Sequence, residues 1–156
     1  MNVFTVSLFG HREVSDLILL EKRLIPLLKN ILDEQQYTSF LIGRNGEFDT
    51  HSASIIKQIG KNIEKESYDI NLVLPYRVAD IDCYEKYYDS IIIPDTLHKV
   101  HFKAAITLRN KWMIENSDLI IAYVEHNTGG AYNALKYAKK LGKTVINLCD
   151  AKNEEE

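Results

Sequence analysis

Short apolar runs alternate with stretches of helical period from one end of the chain to the other. The apolar runs that predict β-strands occupy residues 3–9, 38–42, 70–74, 90–93, 119–124 and 144–148. They are nearly continuous in valine, isoleucine and leucine, a composition typical of strands covered on both faces. The alternation therefore predicts an α/β fold, a Rossmann-like three-layer sandwich whose mostly parallel sheet carries helices on both faces.

The stretches between these runs predict the helices. Ser15 is a candidate N-cap for a long amphipathic helix ending near residue 33, and Pro26 is expected to bend or interrupt it. Asp49 or Thr50 is expected to cap the next helix, which ends near residue 66. Further helices are predicted over residues 79–88, 102–116 and 131–141.

No repeat or linker divides the chain. We therefore expect a single domain over residues 1–149, followed by an acidic, frayed tail over 150–156. Of the 156 residues, 46% are hydrophobic and 26% are charged, as in ordinary globular proteins. No apolar run reaches the length of a membrane helix and no signal pattern opens the chain, so we expect a cytoplasmic protein with no membrane partner.

Charge and cysteine content narrow the classes of partner. The 19 lysines and arginines against 22 aspartates and glutamates give a net charge of -3, and this balance predicts no long nucleic acid partner. Cys83 and Cys149 are expected to be free thiols of a reducing compartment. No regular spacing of histidine, cysteine or carboxylate predicts a metal site, and no required cofactor is expected.

The predicted strand ends carry the candidate chemistry. In an open parallel sheet, ligands bind beyond the carboxyl ends of the strands, near the point where the strand order reverses. The first strand is followed by Gly10-His11-Arg12, the second by Gly43-Arg44-Asn45-Gly46, and the fifth by a polar segment ending in Gly129-Gly130. Backbone amides exposed by glycine and by a helix N-terminus commonly hold phosphate or carboxylate groups. These segments together predict an anion site at one edge of the sheet.

Arg109 lies in the middle of an apolar helical face. On a helix over 102–116, its neighbours on that face are Ala105 and Ile106 one turn before, and Trp112 and Met113 one turn after. A buried guanidinium without a partner is costly. Arg109 is therefore expected to meet an internal carboxylate, a set of carbonyls or a ligand phosphate, and the sequence leaves these alternatives open.

Two carboxylates and a group of tyrosines lie near the predicted strand ends. Glu47 and Asp49 follow the second strand and are the candidate catalytic residues, although Asp49 also fits a plain helix cap. The tyrosines Tyr84, Tyr87 and Tyr88 lie close to the fourth strand. They are expected to serve in packing more than as a platform for a stacked base.

Three motifs and their order along the chain resemble the SLOG superfamily, which includes the Lonely Guy phosphoribohydrolases and the DNA-processing protein A family. The stretch over 109–122 followed by Gly129-Gly130-Ala131 is the main match, and Gly46-Glu47-Phe48-Asp49 is similar to the Gly-x-x-Asp turn of the superfamily. Phe9-Gly10-His11-Arg12 resembles the Gly-His-Arg start of an uncharacterised bacterial branch. The resemblance implies a Rossmann-like nucleotide-binding domain and a possible homodimer, with sugar-phosphate contacts from Arg109 and the glycine turn.

The chain also departs from the Lonely Guy pattern. Tyr132 and Asn133 follow Ala131 where that family has glycine and threonine, and Lys136 stands where it has the catalytic glutamate. A lysine there would oppose the positive charge that develops as an N-glycosidic bond breaks. Hydrolysis of the Lonely Guy type is therefore not supported.

Three functions follow from these observations. The preferred one is a binding or sensor module for a nucleotide or nucleotide-derived ligand, such as an ADP-ribose-like molecule or a mononucleotide. The alternatives are a hydrolase or transferase of nucleoside N-glycosidic bonds, and an interaction protein with a degenerate pocket. The predicted ligand-binding residues are Gly10, His11, Arg12, Gly43, Arg44, Gly46, Arg109, Gly129, Gly130, Ala131 and Asn133.

Overall fold

The computed structural model describes residues 2–44, 46–63, 66–95 and 100–150. The strands are β1 (Val3–Gly10), β2 (Tyr37–Ile42), β3 (Tyr68–Val73), β4 (Ser90–Ile92), β5 (Leu119–Tyr123) and β6 (Thr144–Asn147). The helices are α1 (Leu17–Glu34), α2 (Glu47–Lys61), α3 (Ile81–Tyr87), α4 (Phe102–Glu115) and α5 (Gly130–Lys140). The predicted tail from residue 151 onward lies outside the described residues.

The six strands form one sheet in the order β4-β3-β2-β1-β5-β6, and every neighbouring pair is parallel. The predicted α/β class is therefore confirmed. Strand β1 lies between β2 and β5, so the strand order reverses at β1 and β5. The register pairs Gly10 with Tyr123, and this pairing places the ends of β1 and β5 side by side.

One face of the sheet packs against α1 and α2. Val6, Phe40 and Ile70 contribute to this core from the strands, and they are almost fully buried. Helix α1 is capped by Asp16, whose side chain accepts a hydrogen bond from the Leu19 amide at 3.0 Å. The predicted cap Ser15 instead donates to Glu125. Helix α1 continues through Pro26 without interruption.

The opposite face packs against α4 and α5. Phe9 and Ile120 meet Met113 of α4 and the small residues Ala134 and Ala138 of α5 in a second buried cluster. Small side chains let a helix approach a sheet closely, and α5 therefore lies against β1, β5 and β6.

Helix α2 begins and ends earlier than the sequence predicts. Its N-cap is Gly46, with φ of 112°, and no side chain caps it, so the prediction of Asp49 or Thr50 as the cap is wrong. The Thr50 hydroxyl donates to the Gly46 carbonyl at 2.7 Å. A β-carbon on Gly46 would lie 2.5 Å from the Cα atom of Arg12. Glycine is thus required here by both backbone conformation and close packing.

Within the described part of the chain, no helix combines the length and apolar character needed to cross a membrane.

Candidate functional site

A cleft of about 450 Å³ opens at the carboxyl edge of the sheet, where β1 and β5 lie side by side. This is the place where open parallel sheets bind ligands. The residues that line it are Leu8, Phe9, Gly10, His11, Arg12, Gly43, Asp49, Ile106, Arg109, Asn110, Met113, Gly129, Gly130 and Ala131.

The N-terminus of α5 forms one wall of the cleft. Its N-cap is Gly129, with φ of 98°, and no side chain caps the helix. A β-carbon built on Gly129 or Gly130 would have no atom within 4 Å, so the space next to both glycines is open. An uncapped helix N-terminus carries free amides and a partial positive charge, which favour an anion.

Arg109 lines the cleft from α4. Its Nε donates to Oδ1 of Asn110 at 2.9 Å, and its Nη1 donates to the carbonyl of Val73 at 2.9 Å. Burial lowers the pKa of Arg109, the carboxylate of Asp49 raises it, and the nearby cation of Arg44 lowers it. Carbonyl oxygens and a neighbouring carboxylate therefore both stabilise this guanidinium. Of the three partners that the sequence left open for Arg109, the structure shows both the internal carboxylate and the carbonyls.

Asp49 reaches the cleft from the first turn of α2. Its Oδ2 would lie 3.0 Å from a β-carbon on Gly43, and Nη1 of Arg109 would lie 2.9 Å from the same atom. The absence of a side chain at Gly43 thus makes room for two opposite charges above the end of β2. Gly10 makes room in the same way, because a β-carbon there would lie 2.1 Å from Cγ of Phe48.

His11 joins the end of β1 to the loop after β5. Its Nε2 accepts hydrogen bonds from the amides of Glu125 at 2.9 Å and His126 at 3.2 Å. Two donors on Nε2 require a lone pair there, which assigns the neutral tautomer with its proton on Nδ1. Burial lowers the pKa of His11, the charge of His126 lowers it further, and Glu125 raises it.

The carboxylate of Glu125 lies beside this histidine. It accepts hydrogen bonds from the hydroxyls of Ser15 and, at 3.1 Å, Tyr123. The hydrogen bond from Ser15 is the main reason that the pKa of Glu125 is lowered. Glu125 is therefore a fixed anion beside His11, but it does not itself line the cleft.

The structure brings most of the predicted site residues together. Those that line the cleft are Gly10, His11, Arg12, Gly43, Asp49, Arg109, Gly129, Gly130 and Ala131. Arg44, Gly46, Glu47 and Asn133 do not line it. Nη1 of Arg44 approaches the Tyr84 hydroxyl at 3.4 Å, and Gly46 serves the contact with Arg12.

The sequence reasoning missed the part that α4 contributes beside Arg109. Ile106, Asn110 and Met113 also line the cleft. Ile106 and Met113 stand three and four positions from Arg109, and that spacing on a helix places them on the same face. Asn110 directly follows Arg109, and its side-chain oxygen accepts a hydrogen bond from Nε of Arg109. If the helical face around Arg109 had been interpreted as a cleft lining as well as core, the sequence would have identified Ile106 and Met113, whereas Asn110 lies off that face.

Lys136 lies away from the cleft. Its Nζ is 5.4 Å from the centroid of the Tyr132 ring, and neither residue lines the cleft. Tyr132 packs instead against the cluster of Ala122, Val124 and Leu135. Within the described ranges, no group of three histidine, cysteine or carboxylate side chains is placed to hold a metal ion.

The structure is similar to solved structures of DNA processing protein A. For the protein from Streptococcus pneumoniae, the TM-score is 0.65 at 14% sequence identity, and the match covers 92% of this chain and 49% of that one. For the protein from Helicobacter pylori, the TM-score is 0.62 at 13% identity, with 97% and 70% covered. This chain thus spans about half the length of the Streptococcus pneumoniae structure. No family model and no curated protein sequence matches the chain.

The expectation of no long nucleic acid partner is wrong. DNA processing protein A from Helicobacter pylori, which has this fold, binds single-stranded DNA. A net charge averages over the whole surface, whereas Arg12, Arg44 and Arg109 lie together at one edge of this sheet. A net charge of -3 therefore does not exclude such a partner. By its fold the chain is similar to DNA processing protein A, and the SLOG superfamily and its branch with the Gly-His-Arg start stay predictions.

Proposed function

We propose that the cleft binds the phosphate of a nucleotide or nucleotide-derived ligand and that the chain acts as a binding or sensor module. The observation that carries this proposal is the open space beside Gly129 and Gly130 at the uncapped N-terminus of α5. Arg12 and Arg109 line the same cleft and supply positive charge. Together these groups offer an anion backbone amides, a helix dipole and two cations.

Two observations favour binding over cleavage of an N-glycosidic bond. Among the described residues that line the cleft, Asp49 is the one carboxylate, and it lies beside Arg109, whose charge it balances. Glu47 is exposed and does not line the cleft. An oxocarbenium-like transition state is stabilised by a carboxylate next to the ribose whose charge is not already balanced. Asp49 is a weaker candidate for this role because Arg109 balances its charge.

The degenerate-pocket alternative has less support. It requires Tyr132 to fill the space above the glycine turn and Arg109 to be held by an internal salt bridge. The space beside Gly129 and Gly130 is open, and Tyr132 packs against the cluster of Ala122, Val124 and Leu135 without lining the cleft. Arg109 does have the carboxylate of Asp49 nearby, as this alternative requires, but it also bonds to a carbonyl and an amide oxygen, and its five N–H donors can serve a further anion.

A single-stranded nucleic acid is the second candidate ligand. The observation that favours it is the likeness to DNA processing protein A from Helicobacter pylori, which binds single-stranded DNA. Each nucleotide of a strand also carries an anionic phosphate, as a diester with one negative charge, whereas a free nucleotide carries a monoester with about two. The proposal therefore concerns a nucleotide unit, either free or within a strand.

The test is isothermal titration calorimetry of the full chain with adenosine 5′-monophosphate, ADP-ribose and a short oligothymidylate. The informative variant is Gly130→Asp, which places a carboxylate at the N-terminus of α5 where the phosphate would bind. Asn133→Asp is the matched control, since it adds the same charge to the first turns of α5 without lining the cleft. We expect Gly130→Asp to abolish binding and Asn133→Asp to weaken it only slightly.

Recovery of the ligand distinguishes a sensor from an enzyme. After long incubation, intact adenosine 5′-monophosphate supports the binding module, and free adenine supports the hydrolase. Binding that survives Gly130→Asp unchanged would place the ligand elsewhere and contradict the proposal.

A further inference from the structure

A surface of cationic and aromatic side chains lies next to the cleft, beyond the ends of β2 and β3. We call the group Arg44, Tyr76 and Tyr84 the aromatic surface. Arg44 follows β2 by two positions, and its Nη1 approaches the Tyr84 hydroxyl at 3.4 Å. Tyr76 follows β3 by three positions, and its side chain is 37% exposed.

Arg109 connects this surface to the cleft. It lines the cleft, yet its Nη1 bonds to the carbonyl of Val73, the last residue of β3. The phenol of Tyr76 raises the pKa of Arg109 and the guanidinium of Arg44 lowers it, as expected for groups that lie near one another. The aromatic surface and the cleft are therefore parts of one continuous carboxyl edge.

The other tyrosines of this region are occupied by internal contacts. Tyr88 is 6% exposed and packs against Tyr84 and Tyr87. Lys57 covers the ring of Tyr87, with Nζ 3.5 Å from the ring centroid. Among the described residues, by contrast, no ring contact or hydrogen bond involves Tyr76. An exposed ring that packs against no other ring and lies near the guanidinium of Arg109 is typical of a stacking site.

We infer that the aromatic surface is a subsite for the planar base of the ligand, with Tyr76 as the stacking ring and Arg44 as the neighbouring cation. This inference rests on the proposed phosphate site at Gly129 and Gly130. Strands in a sheet are about 4.8 Å apart, so the end of β3 lies roughly 10 Å along the edge from the end of β1. A phosphate at the β1–β5 crevice and a base at Tyr76 are then bridged by a ribose near Gly43.

The subsite narrows the class of ligand. Stacking on an aromatic ring and a guanidinium is tolerant of base identity, because every base has a π-face. The ligand is therefore a nucleotide that carries its base, and a sugar phosphate alone makes only the phosphate contacts. Discrimination between bases is expected to be weak.

The experiment compares adenosine 5′-monophosphate with ribose 5-phosphate, which lacks the base, by calorimetry on the full chain. The variant is Tyr76→Leu, which removes the ring from an exposed position and leaves the cleft lining intact. The matched control is Tyr87→Leu, which removes an equally exposed ring that Lys57 covers. Melting temperatures of both variants verify that they are folded.

We expect the wild type to bind adenosine 5′-monophosphate more tightly than ribose 5-phosphate. Tyr76→Leu should weaken binding of the nucleotide by about 5- to 100-fold and leave binding of ribose 5-phosphate unchanged. Tyr87→Leu should change neither.

Two results would overturn the inference, and they distinguish a failure of the base subsite from a failure of the phosphate site. Equal affinity of the wild type for both ligands, or equal loss of both in Tyr76→Leu, would overturn the base subsite and leave the phosphate site standing. Failure of both ligands to bind the wild type would overturn the phosphate site and the base subsite together.

Discussion

Arg109 lies so close over Gly43 that a β-carbon on this glycine would be 2.9 Å from Nη1 of the arginine. Oδ2 of Asp49 would be 3.0 Å from the same atom. Position 43 therefore decides whether a cation from α4 and a carboxylate from α2 reach the same point at the end of β2. The approach of these two charges therefore depends on glycine at position 43, because any β-carbon there would collide with them.

Gly43→Ala should perturb both charges. The added methyl group pushes Arg109 away from the Val73 carbonyl, to which it is bonded at 2.9 Å, and displaces Asp49. We expect a loss of about 1–3 kcal/mol in the free energy of unfolding, as for other overpacked sites, together with weaker nucleotide binding. Urea denaturation and calorimetry measure the two effects. An unchanged midpoint with unchanged affinity would show that Arg109 moves freely.

Gly130→Ala and Gly46→Ala should have opposite effects on stability. A β-carbon on Gly130 meets no atom within 4 Å, and alanine suits a helix better than glycine by up to about 1 kcal/mol. Gly130→Ala should therefore keep or raise stability while it weakens phosphate binding.

Gly46→Ala combines a φ of 112° with a contact of 2.5 Å to the Arg12 backbone, and we expect it to lower the free energy of unfolding by about 3 kcal/mol or more. Chemical denaturation of the two variants in parallel checks this contrast. Similar stabilities of both variants would contradict the packing described at Gly46.

His11 should make the stability depend on pH. Its pKa is lowered from 6.5 in the folded state, so the unfolded chain binds more protons between the two values and stability rises with pH there. The free energy of unfolding should thus decrease as the pH falls from 6.5 through the folded pKa. Protonation at Nε2 also breaks the hydrogen bonds from the Glu125 and His126 amides.

The variant His11→Gln retains an acceptor but does not titrate, and it should flatten this part of the profile. Urea denaturation between about pH 5 and pH 7.5 measures it. His126→Gln is the control for the neighbouring ring. A profile that His11→Gln leaves unaltered would assign the pH dependence to another group.

The two cysteines should react at different rates. Burial raises the pKa of Cys149 to about 11, so its thiol is protonated near neutral pH, and the thiolate is the reactive form. Cys83 is exposed. We expect iodoacetamide to modify Cys83 first and Cys149 only after urea unfolding, as read by mass spectrometry of the peptides. Equal rates in the folded protein would mean that Cys149 is accessible.

The strands were predictable because their signal is local. Each apolar run in the sequence corresponds to an observed strand, and no strand end differs from the prediction by more than two residues. The edge that carries the cleft was predictable too, because parallel strands all end on one side and glycines mark those ends. The cap of α1 was not predictable, because the hydroxyl of the expected cap Ser15 bonds to Glu125, 110 positions away, and Asp16 caps the helix.

The roles of individual glycines also required the fold. Gly43 and Gly46 belong to the same predicted turn, but one makes room for Arg109 and Asp49 and the other for the backbone of Arg12. Likewise, His11 shows no partner in its own segment, because the amides that bond it follow β5. Sequence patterns identify residue types at strand ends, whereas pairing between distant segments decides which of them face the cleft.

The close packing of Gly46 on Arg12 joins the segment after β1 to the start of helix α2. The amide of Glu47 donates to the Arg12 carbonyl at 2.7 Å, so the first residue of α2 is fastened to the residue that borders the cleft. Helix α2 has 15 residues and is roughly 22 Å long. A displacement of Arg12 is therefore expected to move the start of α2, and the far end of this helix lies beside the start of β3, where the Tyr68 ring packs over Gly60.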